Sequence, residues 1–118
     1  FLKVQFTNYN KKKLMKSNIN IFLENHKTDI IEIIDSFKDY EFSSHDFIEK
    51  FSRKFETDYI EMLVFYKKSG KAFQTVHSQI AKFLSENRVY LKIEKKGKKI
   101  SENTFGENDY PEWWNKLK

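Results

Sequence analysis

A chain of 118 residues with a formal net charge of +5 and 33% charged residues is long enough for one domain with its own core and too short for two. It contains no cysteine, which excludes disulfides, thiolate catalysis and cysteine-ligated zinc. No apolar run approaches the roughly 20 residues of a membrane span, and the positive balance points to an acidic partner, nucleic acid before an anionic membrane.

Twelve Phe set against a mean hydropathy of −0.74 describe an aromatic core under a well-solvated surface. An AT-rich coding bias would also supply Lys, Asn, Ile and Phe, so the clustering of charge carries more than its sum. The chain opens on Phe1 rather than Met, which leaves a fragment, a processed product and a trimmed chain all open. Its first residues alternate rather than forming an apolar block, unlike a signal peptide, and a cytoplasmic setting is expected.

Leu2, Val4 and Phe6 alternate with Lys3 and Gln5 as a short strand, followed by a basic run at Lys11, Lys12 and Lys13 and a helix cap at Ser17. From Ile19 to Phe37 the apolar spacing gives one long helix or two, with any break at Asn25 to Lys27 and a second start at Thr28 and Asp29. A few extended residues are expected between Lys38 and Phe42. Ser43 or Ser44, with Asp46, signals the start of a helix reaching Phe55. Asp58 with Glu61 signals another before Tyr59, nearly apolar all round and expected to be the most buried, or to hide a dimer seam. Gly70 suits a turn position.

Residues 72–87 form an amphipathic helix with Phe73, Val76, Ile80, Phe83 and Leu84 on one stripe and Gln74, Thr75, Ser78, Gln79, Lys82 and Glu86 opposite. His77 falls at the edge of the stripe, where a satisfied, half-buried imidazole is expected. Val89, Leu91 and Ile93 then alternate with Tyr90, Lys92 and Glu94 as a strand, and Lys95-Lys96-Gly97-Lys98-Lys99 turns the chain back toward Ile100. Tyr90 either packs across that hairpin or stacks on a base. Pro111 is expected to open a last helical turn carrying Trp113 and Trp114.

A helix with a polar face, followed by a cationic hairpin, resembles the recognition helix and wing of a winged-helix domain. That resemblance implies an α+β, mostly helical fold: a winged-helix-like core of three to five helices with a small C-terminal β-hairpin wing, all in one domain spanning 1–118. Residues 1–16 are then a strand and basic arm, 17–87 the helical core, 88–101 the wing and 102–118 an aromatic tail. It also implies duplex DNA as partner, with bases read by Gln74, Thr75, Ser78, Gln79 and Lys82, and phosphates held by Lys71, Arg88, Lys92, Lys95, Lys96, Lys98 and Lys99. Gln74 or Gln79 suits adenine; Lys82 suits guanine or phosphate. The run Ser101, Asn103, Phe105, Gly106, followed by tryptophan, is similar to tails on small domains of bacterial restriction and phage-defence systems. Transcriptional control and target recognition in a defence or mobile-element system are the roles implied.

The alternative is a protein-interaction module, such as a phage- or plasmid-encoded inhibitor or a homodimer, with Trp113 and Trp114 as anchors. An enzyme is not expected. Glu94-Lys95-Lys96 is only half of a metal-dependent nuclease motif, and His26, His45 and His77 lack metal-ligand spacing. No cofactor, membrane or small-molecule substrate is expected.

Overall fold

The computed structural model describes residues 19–103 and 105–117. The expected N-terminal strand, the Lys11 to Lys13 run and the Ser17 cap lie outside them. The fold is α+β and mostly helical, with a C-terminal hairpin.

The first helical segment, α1 (19–25), and α2 (Lys27–Asp35) are separate, and the break falls at His26. Its imidazole Nδ1 lies 2.8 Å from the Phe22 carbonyl, and its ring stacks on Phe22 at 4.1 Å. The helix therefore restarts at Lys27, ahead of the expected start at Thr28 and Asp29, which fall inside the first turn with no side-chain cap. Ile30, Ile33 and Ile34 repeat at helical spacing and are buried.

The short strand β1 (Glu41–Ser43) leads straight into α3 (Ser44–Lys54). The cap is Ser43. Its Oγ accepts from the Asp46 N–H at 3.0 Å, and the Asp46 carboxylate accepts from the Ser43 N–H at 3.0 Å, a reciprocal pair that satisfies two donors freed at the helix start. Ser43→Ala is expected to cost about 1–2 kcal/mol in urea unfolding. A cost under about 0.3 kcal/mol would mean that the box contributes nothing.

Helix α4 (Glu56–Phe65) departs from expectation twice. It starts at Glu56, directly after Phe55, two residues ahead of the start signalled by Asp58 and Glu61. It is also not the most buried helix: only Met62 is buried, while Ile60 is 48% and Val64 53% exposed. An all-round apolar helix buries only the side that meets a partner. Here Tyr59, Met62, Leu63 and Tyr66 contribute to the core, and Ile60 and Val64, four residues apart, share the outward stripe.

A 3₁₀ turn (Lys67–Ser69) ends at Gly70, whose φ of +74° is the left-handed value expected for glycine there. Helix α5 (Ala72–Glu86) buries Val76, Ile80, Phe83 and Leu84, leaving Phe73 largely exposed. The expected strand from Val89 is instead a single turn, α6 (Arg88–Leu91), with Val89 86% exposed. Leu91 and Ile93 are both buried because Lys92 takes a left-handed conformation (φ +59°) and swings the chain from helix into strand. Tyr90 packs under the Lys27 ammonium, 4.4 Å from its ring centre, rather than across a hairpin.

The hairpin itself lies elsewhere than expected. Strand β2 (Ile93–Lys98) pairs with β5 (Glu112–Lys116), and β3 (Ser101–Glu102) with β4 (Asn108–Asp109), so the pairs nest as one long hairpin. Its tip is closed by Asn103, whose Oδ1 accepts from the Phe105 and Glu107 N–H groups, and by Gly106 at φ +81°. The lysine run is thus mid-strand. Gly97, at φ +111°, makes a bulge there instead of a turn.

Trp113 and Trp114 sit on β5, not on a helical turn, and the described residues from 102 onward are the hairpin's tip and return arm rather than a tail. Strand β5 lies between β1 and β2 with hydrogen bonds to both, which fixes the extended form. Alternation sends Trp114 inward, 1% exposed, and Trp113 to the other face.

Candidate nucleic-acid interface

Steps of 100° along α5 sort its polar side chains around the buried stripe. Gln74, Ser78 and Ser85 fall on the side facing the hairpin, where they line a cleft of about 600 Å³. Thr75 and Gln79 fall on the opposite flank and are half-buried. Lys82 stands on the crest between them, exposed and 3.9 Å from Glu86.

The far wall of the cleft is the hairpin. Ile93, Lys95 and Lys98 pair with Lys116, Trp114 and Glu112, all three on the inward-facing side of β5. The bulge makes this arrangement. Without the extra residue at Lys96, strict alternation would put Lys95 and Gly97 on one face and Lys98 on the other; with it, Lys95 and Lys98 both line the cleft opposite Gln74 and Ser78. The Glu112 carboxylate accepts from the Gly97 N–H at 2.8 Å and holds the bulge in place.

The remaining expected phosphate ligands are dispersed. Lys71 is exposed at the start of α5, beside exposed Lys67 and Lys68. Arg88 and Lys92 are exposed at its far end, with Arg88 donating to the Ser85 carbonyl at 2.7 Å. Lys96 is exposed on the bulge. Lys99 is committed elsewhere, pairing with Glu41 at 3.0 Å and lying 4.5 Å over the Trp113 ring. The tip that a cationic wing would place against phosphate carries Glu102, Glu107 and Asp109 instead.

Sequence reasoning did not assign His45, Phe105 and Trp114 to this cleft. Phe105 meets Phe73 edge-on at 4.8 Å and so docks the hairpin tip on the start of α5. Trp114 donates from Nε1 to Ser44 Oγ, joining the sheet to α3 beneath the cleft. His45 Nε2 lies 3.9 Å from the Asp109 carboxylate, and its Nδ1 has no partner among the described residues. These contacts span up to 70 residues, and no local pattern announces them. Burial of Trp114 also removes one of the two aromatic anchors expected under the protein-interaction reading.

His77 is the half-buried, satisfied imidazole that its place on the stripe predicts. Burial, with His45 nearby as a second cause, lowers its pKa to about 4, and burial raises that of Tyr59. The neutral ring places Nε2 2.6 Å from the Tyr59 hydroxyl, and the tautomer decides which of the two donates. A histidine held neutral in the fold binds fewer protons than the unfolded chain between about pH 4 and 6.5. Its contribution is thus complete above that window and is lost as pH falls through it. Thermal melts should show this acid loss, and His77→Gln, which keeps an acceptor for Tyr59, should flatten it; an unchanged slope would place the effect elsewhere.

Of the Glu-x-Lys half motif, Glu94 pairs with Asn115 on β5 and Lys96 sits in the bulge, and both are exposed. Among the described residues no group of three or more His, Asp or Glu is placed to hold a metal ion, and no helix is long and apolar enough to cross a membrane. Comparison of the chain with protein-family models, with curated proteins and with solved structures returns no match.

Proposed function

We propose that this chain binds duplex DNA, presenting the crest of α5 to the major groove while lysines at its two ends and on β2 meet phosphates. The observation that carries this reading is the bracketing of α5 by exposed cations: Lys67, Lys68 and Lys71 before it, and Arg88 and Lys92 after it. None of these, nor Lys95, Lys96 or Lys98, forms an ion pair among the described residues. A 15-residue helix is about 22 Å long, a length that sets its two ends over phosphates on either side of a groove about 12 Å wide.

The element order supports the winged-helix resemblance: a short strand between early helices, then an exposed helix, then a hairpin whose return strand pairs with that early strand. Relative to the sequence expectation, the phosphate contacts shift from the hairpin turn to its base, because the tip is acidic. Base contacts fall to Lys82 on the crest, with Ser78 and Gln74 beside it on the cleft side. Transcriptional control and target recognition in a defence or mobile-element system remain the roles proposed.

Fluorescence anisotropy of a random duplex tests this. With three to six phosphates neutralised, log affinity should fall against log salt with a slope of about −3 to −5. Absence of binding at low salt, or a flat response, would overturn the reading. The outward Ile60 and Val64 favour a protein partner or a second copy as the alternative. A concentration-dependent dimer in sedimentation that Ile60→Lys abolishes would support it.

A further inference from the structure

The cleft between α5 and the hairpin has features that gripping a duplex backbone does not require. Its volume of about 600 Å³ lies within the range of small-molecule sites, roughly 300–1,000 Å³. Lys95 and Lys98 line one part, beside Glu112, whose carboxylate is taken up by the Gly97 N–H, and Glu107 and Asp109 line another; among the described residues neither lysine forms an ion pair. Opposite charges held apart across one concavity suit a ligand that carries an anion at one end and hydrogen-bond donors at the other. Aromatic faces stand at the rim, Phe73 and Phe105 both exposed, and an aromatic ring offers a stacking surface to any flat heterocycle. The Gln74 amide has no protein partner among the described hydrogen bonds and lines the same space. An amide of this kind makes a paired contact with the amino group and ring nitrogen of adenine.

We propose that this cleft takes one nucleotide whose base bears an exocyclic amino group, adenine fitting best. The phosphate lies against Lys95 and Lys98, the base stacks at the Phe73 and Phe105 rim, Gln74 reads its edge, and the amino group faces Glu107. The same chemistry is offered by a free mononucleotide and by an unpaired nucleotide of a single strand. This assignment goes beyond duplex binding. It shares Gln74 and the β2 lysines with the duplex contacts, whereas Lys82 and the cations at the two ends of α5 serve the duplex alone.

The test is titration of the folded chain with AMP, CMP, UMP, oligo(dA) and oligo(dT), read by calorimetry and by the fluorescence of Trp114 in the cleft wall. AMP or oligo(dA) should bind at least about tenfold more tightly than the uracil or thymine counterpart, because those bases lack the amino group. Binding of AMP alone assigns a free nucleotide; binding of oligo(dA) alone assigns a strand. Ala81→Trp should fill the cleft and abolish binding with the helical circular dichroism unchanged. Gln74→Leu, at an exposed position, should erase the preference for adenine and serves if the larger side chain unfolds the domain. Failure of both AMP and oligo(dA) to bind, equal binding of UMP, or an unaltered preference in Gln74→Leu would overturn the assignment. Glutamates at Lys67, Lys68 and Lys71 should weaken duplex binding and leave AMP binding unchanged, so the two readings fail separately.

Discussion

Trp114→Ala is expected to remove about 3–5 kcal/mol of stability, the cost of deleting a large, fully buried aromatic side chain. Trp114 is 1% exposed, belongs to the main core cluster and donates to Ser44 Oγ at 3.1 Å. It also lies on the strand that holds β1 and β2 together, so the cavity opens at the junction of sheet, α3 and hairpin. Small domains have only about 5–15 kcal/mol in total, so the variant should unfold at much lower urea or not fold at all. Trp114→Phe keeps most of the volume and loses the hydrogen bond, and should cost clearly less. A loss under about 1 kcal/mol for the alanine variant would mean that this ring is not central to the core.

The second large effect is electrostatic. Changing Lys67, Lys68 and Lys71 to glutamate alters the formal charge by −6, taking the chain from +5 to −1. All three are exposed around the turn that launches α5, so the fold should tolerate the change within about 0.5 kcal/mol per site. Duplex affinity should fall by about two to three orders of magnitude near 0.1 M salt, with the salt slope shallower by about 3. The same charge change placed at Lys38, Lys50 and Arg53, away from α5 and its flanks, separates a local contact from a general field. Equal losses in the two triple variants would remove α5 as the docking element.

How far the sequence disclosed this molecule depended on the range of the interactions involved. The Ser43 and Asp46 box, the break at His26, Gly70 and the amphipathic α5 are all set by neighbours within four residues; local pattern places Gly70 and α5, and narrows the cap to Ser43 or Ser44 and any break to Asn25 to Lys27. The misreadings share one cause. Alternation across Val89, Leu91 and Ile93 suggested a strand, but the left-handed Lys92 gives the same two buried positions by another path. Gly97 among lysines suggested a turn, and only the partner strand, fifteen residues on, makes it a bulge. Adjacent tryptophans suggested a helix because the strand between two neighbours was not visible. Spacing alone puts the polar residues of α5 on one face; packing of the hairpin tip through Phe105 splits them between cleft, crest and flank.

The middle strand of the sheet is the last of its strands along the chain. β1 waits for a partner more than 70 positions downstream, since Glu41 pairs with Asn115. During translation the helices emerge first and can pack on one another, while the edge at β1 stays uncovered until the ribosome has delivered the returning arm of the hairpin. Sheet closure is therefore the late, non-local step of folding, and a chain interrupted before Glu112 would expose two unsatisfied edges at once.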